Sequence, residues 1–219
     1  MMRRSLLAIG AFLMLSVHGD ALAARYEIVS AETKTTYETH YLKFIHVRGV
    51  FDRMTGVLMY EPSKPVAERA PFIHVVIDTT TLRPTTFDGE GKRKMLRGPE
   101  FFNVEKFPTI EFRSKKFRYD GERLTHIDGD ITLVGVTKPV SLVVLKSGCE
   151  PASATQPPRC HASTELVVKR SQFGMNGWST TVSDDVKICV ELVAVAKQTE
   201  SANSLPDAAV QPKMPETAR

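Results

Sequence analysis

Long apolar runs are missing from this sequence. The longest, Leu6 to Val17, falls short of the roughly 20 residues that cross a bilayer as a helix, so no membrane-spanning helix is expected. Apolar residues spaced three and four apart are also scarce, which argues against a helical bundle. A formal net charge of +4 is mild, and the basic residues are spread out with few aromatics between them. That excludes the electrostatic footprint of a nucleic-acid binder. There is no nucleophile elbow, no Gly-rich phosphate loop, no zincin helix and no His/Cys cluster at metal-ligand spacing. His40 and His46 lie on flanking segments where surface histidines are commoner than ligands. Asp184 and Asp185 are adjacent, so on a strand they point to opposite faces and cannot work as a carboxylate pair; their expected place is a turn where a strand begins. The expectation is a protein that is not an enzyme, holds no metal and requires no cofactor.

The ends carry their own signals. Met1-Met2-Arg3-Arg4, the apolar run and the small-residue triplet Ala21-Leu22-Ala23 have the layout of a secretory signal peptide, residues 1–23, cut after Ala23. Export of a protein without a spanning helix predicts the periplasm. Residues 199–219 contain three prolines, small polar residues and no apolar periodicity, the composition of a disordered tail. Between them, residues 24–198 suffice for one domain with one core.

Only three cysteines are present. Cys149 and Cys160 flank a Pro-rich, Ser/Thr-containing loop, and their pairing is favoured because it would staple that loop where it leaves and re-enters the sheet. A loop this short contributes roughly 2–3 kcal/mol by constraining the unfolded chain. Cys189 is then the odd thiol, a small residue on a strand face.

What the sequence does have is period-two alternation, recurring between turn residues. Val186, Ile188, Val190, Leu192 and Ala194 form one face against Lys187, Cys189 and Glu191. Ile127, Gly129, Ile131 and Leu133 oppose Asp128, Asp130 and Thr132, and Ile110 and Phe112 oppose Glu111 and Arg113. Further strands are predicted over Tyr26 to Val29, Thr33 to Phe44, Val50 to Tyr60, Phe72 to Thr79, Val140 to Leu145 and Ala162 to Lys169. Asp120-Gly121 and Gly135 to Pro139 supply turns, so neighbouring strands should be antiparallel. About eight long strands suit an all-β barrel or sandwich. One stretch, Asp88 to Leu96, reads as a short helical insertion.

Three motifs point further. Leu96-Arg97-Gly98-Pro99-Glu100-Phe101-Phe102-Asn103-Val104-Glu105-Lys106-Phe107-Pro108-Thr109-Ile110-Glu111-Phe112, completed by Ser114, is one. Asp130-Ile131-Thr132-Leu133-Val134-Gly135-Val136-Thr137-Lys138-Pro139-Val140 is the second. Lys169-Arg170-Ser171-Gln172-Phe173-Gly174-Met175-Asn176, followed by Val182-Ser183-Asp184-Asp185-Val186, is the third. In this order and spacing, over roughly Arg25 to Lys197, the chain resembles the YceI-like, polyisoprenoid-binding periplasmic proteins. The resemblance implies an extended lipocalin-like antiparallel β-barrel that holds a long isoprenoid chain, such as a quinone tail. Two departures stand out: the spacing from His40 to Gly49 is one residue longer than in the family's second strand, and the loop between Cys149 and Cys160 looks like an elaboration.

On that implication the apolar cavity would be lined by Val75, Ile77, Leu96, Phe101, Phe102, Phe107, Ile110, Phe112, Ile131, Leu133, Phe173, Met175 and Trp178. Aromatic and sulfur-bearing side chains offer the adaptable surface that grips a ligand without hydrogen-bonding groups, and Met95 adds to it. Lys92, Arg93, Lys94 and Arg97 are candidates for contact with a head group or an anionic membrane surface, a transient inner-membrane contact. The leading expectation is a periplasmic carrier or store for an isoprenoid lipid or quinone. The alternative is a filled barrel serving as an accessory or stress-response domain that docks a membrane or protein partner.

Overall fold

The computed structural model describes residues 24–86 and 89–197. The expected signal peptide and C-terminal tail, with Asp88 at the start of the expected helix, lie outside the described residues.

Alternation becomes strand throughout: β1 (Ala24–Ile28), β2 (Lys34–Tyr41), β3 (Ile45–Phe51), β4 (Met54–Tyr60), β5 (Phe72–Asp78), β6 (Leu82–Pro84), β7 (Thr109–Asp120), β8 (Arg123–Leu133), β9 (Val136–Glu150), β10 (Arg159–Lys169) and β11 (Asp185–Ala196), with one helix, α1 (Glu90–Arg97), between β6 and β7. Eight strands close a ring in the order β1, β4, β5, β7, β8, β9, β10, β11, with β11 returning to β1 through the antiparallel register Tyr26 to Ala196. Every pairing is antiparallel, and the alternating faces put Ile110, Phe112, Ile127, Ile131, Leu133, Ile188 and Leu192 in the core.

The remaining strands extend one side of the ring. β11 pairs with β1 through Ala194–Ala196 and with β2 through Lys187–Glu191, so β1 and β2 continue one another along the same neighbour. β3 with β4, and β5 with β6, repeat this arrangement. The three interruptions fall side by side and are stitched together by short polar side chains: the Met54 amide donates to Ser30 Oγ at 3.1 Å, and the Asp52 and Arg53 amides donate to Thr81 Oγ1 at 3.1 and 3.2 Å. Beyond this seam β6 pairs with β3, and α1 packs beside it.

Several expected boundaries move for identifiable reasons. The strand expected over Thr33 to Phe44 stops at Tyr41, because Leu42 and Lys43 take left-handed conformations, φ 52° and 69°, that turn the chain into β3. The strand expected over Val50 to Tyr60 breaks at Asp52 and Arg53, where the seam crosses it. The turn expected over Gly135 to Pro139 is the pair Val134-Gly135, both with positive φ, the tight hairpin geometry that matches strand twist. Pro139 lies within β9 opposite Asp130, where β9 has β8 as its partner and β10 pairing has not yet begun. The helix runs Glu90–Arg97 and ends where the Gly98 amide donates to the Met95 carbonyl. Cys149 and Cys160 face each other in β9 and β10 and are disulfide-bonded, as expected. Cys189 is a free thiol on β11, half-buried, and burial pushes its pKa up.

Candidate functional site

Above the seam the barrel is open inside. Inward positions of β2 (Tyr37, Thr39, Tyr41) and β3 (Ile45, Val47, Phe51) face Ile110, Leu133, Val168, Val186 and Ile188 across a cavity of about 620 Å³. Helix α1 and the chain after it form the remaining wall with Lys92, Met95, Leu96, Phe101 and Phe102, and the segment after β10 adds Arg170, Met175, Trp178 and Val182. Below the seam β1, β4 and β5 take the places of β2, β3 and β6, and the interior is filled. There Val75, Ile77, Phe112, Ile127, Ile131 and Leu166 leave a space of about 80 Å³, and Phe51, Ile110 and Ile188 stand in the walls of both.

The thirteen apolar positions singled out in the sequence therefore divide. Leu96, Phe101, Phe102, Ile110, Leu133, Met175 and Trp178 line the larger cavity. Val75, Ile77, Phe112 and Ile131 belong to the filled half, with Ile110 shared. Phe173 and Phe107 are corrections. Phe173 is 1% exposed but packs in the core away from both walls. Phe107, half-buried, lines neither cavity: main-chain bonds from Phe102 to Leu96, Val104 to Arg97 and Phe107 to Asn103 coil this segment, and Phe101 and Phe102 reach the cavity while Phe107 does not. Its ring covers Gly135, where a Cβ would meet Phe107 Cε1 at 2.6 Å, and Lys106 Nζ sits 5.2 Å from the ring centroid.

Of the basic residues, Lys92 lines the cavity, half-buried, and burial pulls its pKa down. Arg93 is 4.0 Å from Glu90, Lys94 is exposed and Arg97 half-buried.

Among the wall residues that the sequence did not single out, which include Thr39, Tyr41, Ile45, Val47 and Phe51, Tyr37 and Arg170 do the most. Tyr37 forms an aromatic cluster with Phe51 and Phe102, at centroid distances of 5.7 and 6.1 Å. Its ring lies on β3 over Gly49, where a Cβ would meet the hydroxyl at 2.3 Å; only glycine admits that approach. The hydroxyl is buried with no hydrogen-bond partner among the described residues, and burial drives its pKa far up. Arg170, 4% exposed, spends its guanidinium on main-chain carbonyls of Ser183, Met175, Gly177 and Val182, at 3.0, 2.6, 2.7 and 3.1 Å. It thereby organises the loop that carries Trp178 to the mouth. Burial lowers its pKa. Asp184 holds the same loop from outside, accepting from the Ser171 amide and hydroxyl, each at 2.8 Å; these donors hold its carboxyl below the usual range. Period-two reading finds Tyr37 as an inward position; nothing local to Arg170 marks it as buried.

On the outer wall, donor atoms of Glu38, His40 and His46 lie within 4.8 Å of one another. Both Glu38 oxygens are taken by protein, one by His46 Nδ1 at 2.7 Å and one by Arg48 Nε at 2.8 Å. Glu38 thus bridges His46 and Arg48 across β2 and β3, and the His40 ring lies 4.4 Å from that of His46.

The sequence profile of the YceI-like domain matches residues 26–194. A UPF0312 protein of Enterobacter sp. (strain 638) is 34% identical over 143 residues, covering 64% of this chain and 71% of its own. Protein YceI of Salmonella newport (strain SL254) is 26% identical over 201 residues, covering 90% of this chain and all of its own. Among solved structures, a polyisoprenoid binding domain from Saccharophagus degradans superposes with a TM-score of 0.58 at 14% identity, over 80% of this chain and 99% of that domain. With an eight-stranded antiparallel ring, a single α-helix among the described residues and a profile match over nearly the whole barrel, this chain belongs to the YceI-like domain family.

Proposed function

We propose that this protein binds an isoprenoid lipid with its tail in the upper cavity, and carries or stores it in the periplasm. The observation that carries the reading is the cavity itself: about 620 Å³ inside a closed β-structure, walled by Tyr, Phe, Met, Ile and Val side chains. That volume falls within the range of small-molecule sites. The Saccharophagus domain of like fold, described as polyisoprenoid-binding, supports the ligand class. The signal-peptide layout supports export, and the Cys149–Cys160 bridge suits an oxidising compartment. The cavity's buried cation, Arg170, is committed to carbonyls of its own chain, which supports a binding role over a catalytic one.

A tail of about twenty buried carbons would gain on the order of 16 kcal/mol leaving water, at ~0.8 kcal/mol per methylene. Drug-sized ligands realise about 0.3 kcal/mol per atom, or ~6 kcal/mol here, a Kd of tens of micromolar. A bilayer keeps the same tail equally dry, so the protein's grip relative to lipid is modest. That suits a carrier which must give its ligand back.

Mass spectrometry of organic extracts from natively purified protein tests the proposal. A prenyl lipid, quinone or otherwise, should co-purify. Its absence, repeated after delipidation and challenge with a prenylated quinone, would refute the reading in favour of an accessory domain that docks a partner through its outer surface.

A further inference from the structure

Leu42, Phe44 and Trp178 are 42%, 73% and 49% exposed, unusual for such large apolar side chains. Trp178 is far from Leu42 and Phe44 in sequence but lies beside them in the fold. The Leu42 amide donates to the Thr181 carbonyl at 2.7 Å, and the Tyr41 and Trp178 rings are 6.5 Å apart. Tyr41 and Trp178 also line the cavity, so the exposed tip of the β2–β3 hairpin adjoins the cavity mouth. Other exposed apolar residues, among them Leu145 and Val167, stand on outer strand faces and line neither cavity.

Leu42, Lys43 and Trp178 all have positive φ (52°, 69° and 53°), a region non-glycine residues rarely adopt. Such conformations persist where the surrounding structure enforces them and mark functional segments. Cations outnumber acids around the patch: Lys43 sits on the tip and Lys92, Arg93, Lys94 and Arg97 on α1, against Glu90, 4.0 Å from Arg93, and the exposed Glu100 beside Gly177.

We propose that this rim docks on the surface of an anionic lipid bilayer, with Phe44, Leu42 and Trp178 entering the interface and Lys43 and the α1 cations contacting lipid head groups. The proposal rests on the cavity reading above and adds where the ligand passes. Aromatic side chains favour the boundary between head groups and acyl chains, and lysines favour anionic head groups. With the mouth seated there, a lipid tail moves between bilayer and cavity without crossing water.

Trp178 is the chain's single tryptophan, so it reports directly on the rim. The experiment titrates the protein with vesicles of phosphatidylcholine alone, or with phosphatidylglycerol added, each also prepared with brominated acyl chains. Anionic vesicles should shift Trp178 emission to the blue, and bromine near the head groups should quench it; neutral vesicles should do so more weakly. Phe44→Ser, a change at a residue outside the cavity wall, should lower partitioning about tenfold while leaving prenyl-lipid binding unchanged. Lys43→Glu should weaken the preference for anionic vesicles, and Lys43→Glu combined with Lys94→Glu should weaken it further. An unshifted, unquenched Trp178 at every lipid concentration, in protein that still binds prenyl lipid, overturns the docking and leaves the cavity reading standing. Quenching in protein that binds no prenyl lipid overturns the cavity reading and keeps the docking.

Discussion

Replacing Tyr37 by Phe should stabilise this protein, although it deletes a polar group from a 4% exposed side chain. The ring's packing against Phe51, Phe102 and Gly49 survives the change, because phenylalanine keeps every carbon. Only the hydroxyl goes, and in the folded chain it has no hydrogen-bond partner among the described residues. In the unfolded chain water satisfies it, so folding loses those bonds without replacement, at a cost of about 1–3 kcal/mol. Taking the low end, Tyr37→Phe gains about 1 kcal/mol, which for a domain of this size raises Tm by about 2–4 °C. The pH dependence gives a second readout with a definite sign. The folded pKa of Tyr37 is raised by burial above its ordinary value of 10.0. Its contribution is thus fully present below about pH 10 and is lost as pH rises above that, where the unfolded chain gives up the proton and the folded chain keeps it. The variant has no such proton to lose, so its stability should fall less steeply above pH 10; Tyr26 and Tyr119, also raised, leave a residual slope. Urea denaturation at neutral and alkaline pH measures both effects. A loss of more than about 0.5 kcal/mol at neutral pH, with the m-value unchanged, would refute the reasoning and show that the hydroxyl is bonded.

Other outcomes follow from the same geometry. Val47→Phe adds a ring on the wall of the larger cavity and should leave stability nearly unchanged while abolishing prenyl-lipid binding. Val75→Phe, in the filled half, should cost about 1–3 kcal/mol by overpacking; equal costs at the two sites in chemical denaturation would contradict the division of the barrel. Reducing Cys149–Cys160 should lower stability by about 2–3 kcal/mol, visible as a shifted urea midpoint with and without reductant. Asp184, held low by the Ser171 donors, stabilises above its unfolded value of 3.8, and that contribution is lost as pH falls through its folded value. Asp184→Asn should therefore show a shallower decline in urea midpoint on acidification than the parent, and identical slopes would remove Ser171–Asp184 from the account.

Local chemistry explains what could be read in advance. Facing sets such as Ile127, Gly129, Ile131 and Leu133 are legible because a strand needs only its own alternation to show which side is buried. The Cys149–Cys160 pair is legible because the loop between them is short. Phe101 and Phe107 look alike in sequence, yet the coil of the segment between them sends one to the cavity and the other onto Gly135 of the β8–β9 turn. Arg170 is charged and stands next to Lys169, so its burial depends on carbonyls from a loop up to thirteen residues away.

By itself, then, the sequence determined an antiparallel β-domain, its principal inward faces, its one short helix and its family, because each rests on near-neighbour patterns or on motif order. Only the tertiary structure decided whether the interior is pocket or plug. That answer came from three strand breaks lining up at Ser30, Asp52 and Thr81, above which the barrel stays hollow and below which it packs solid. Register between strands far apart in sequence sets that seam, and no local pattern encodes it.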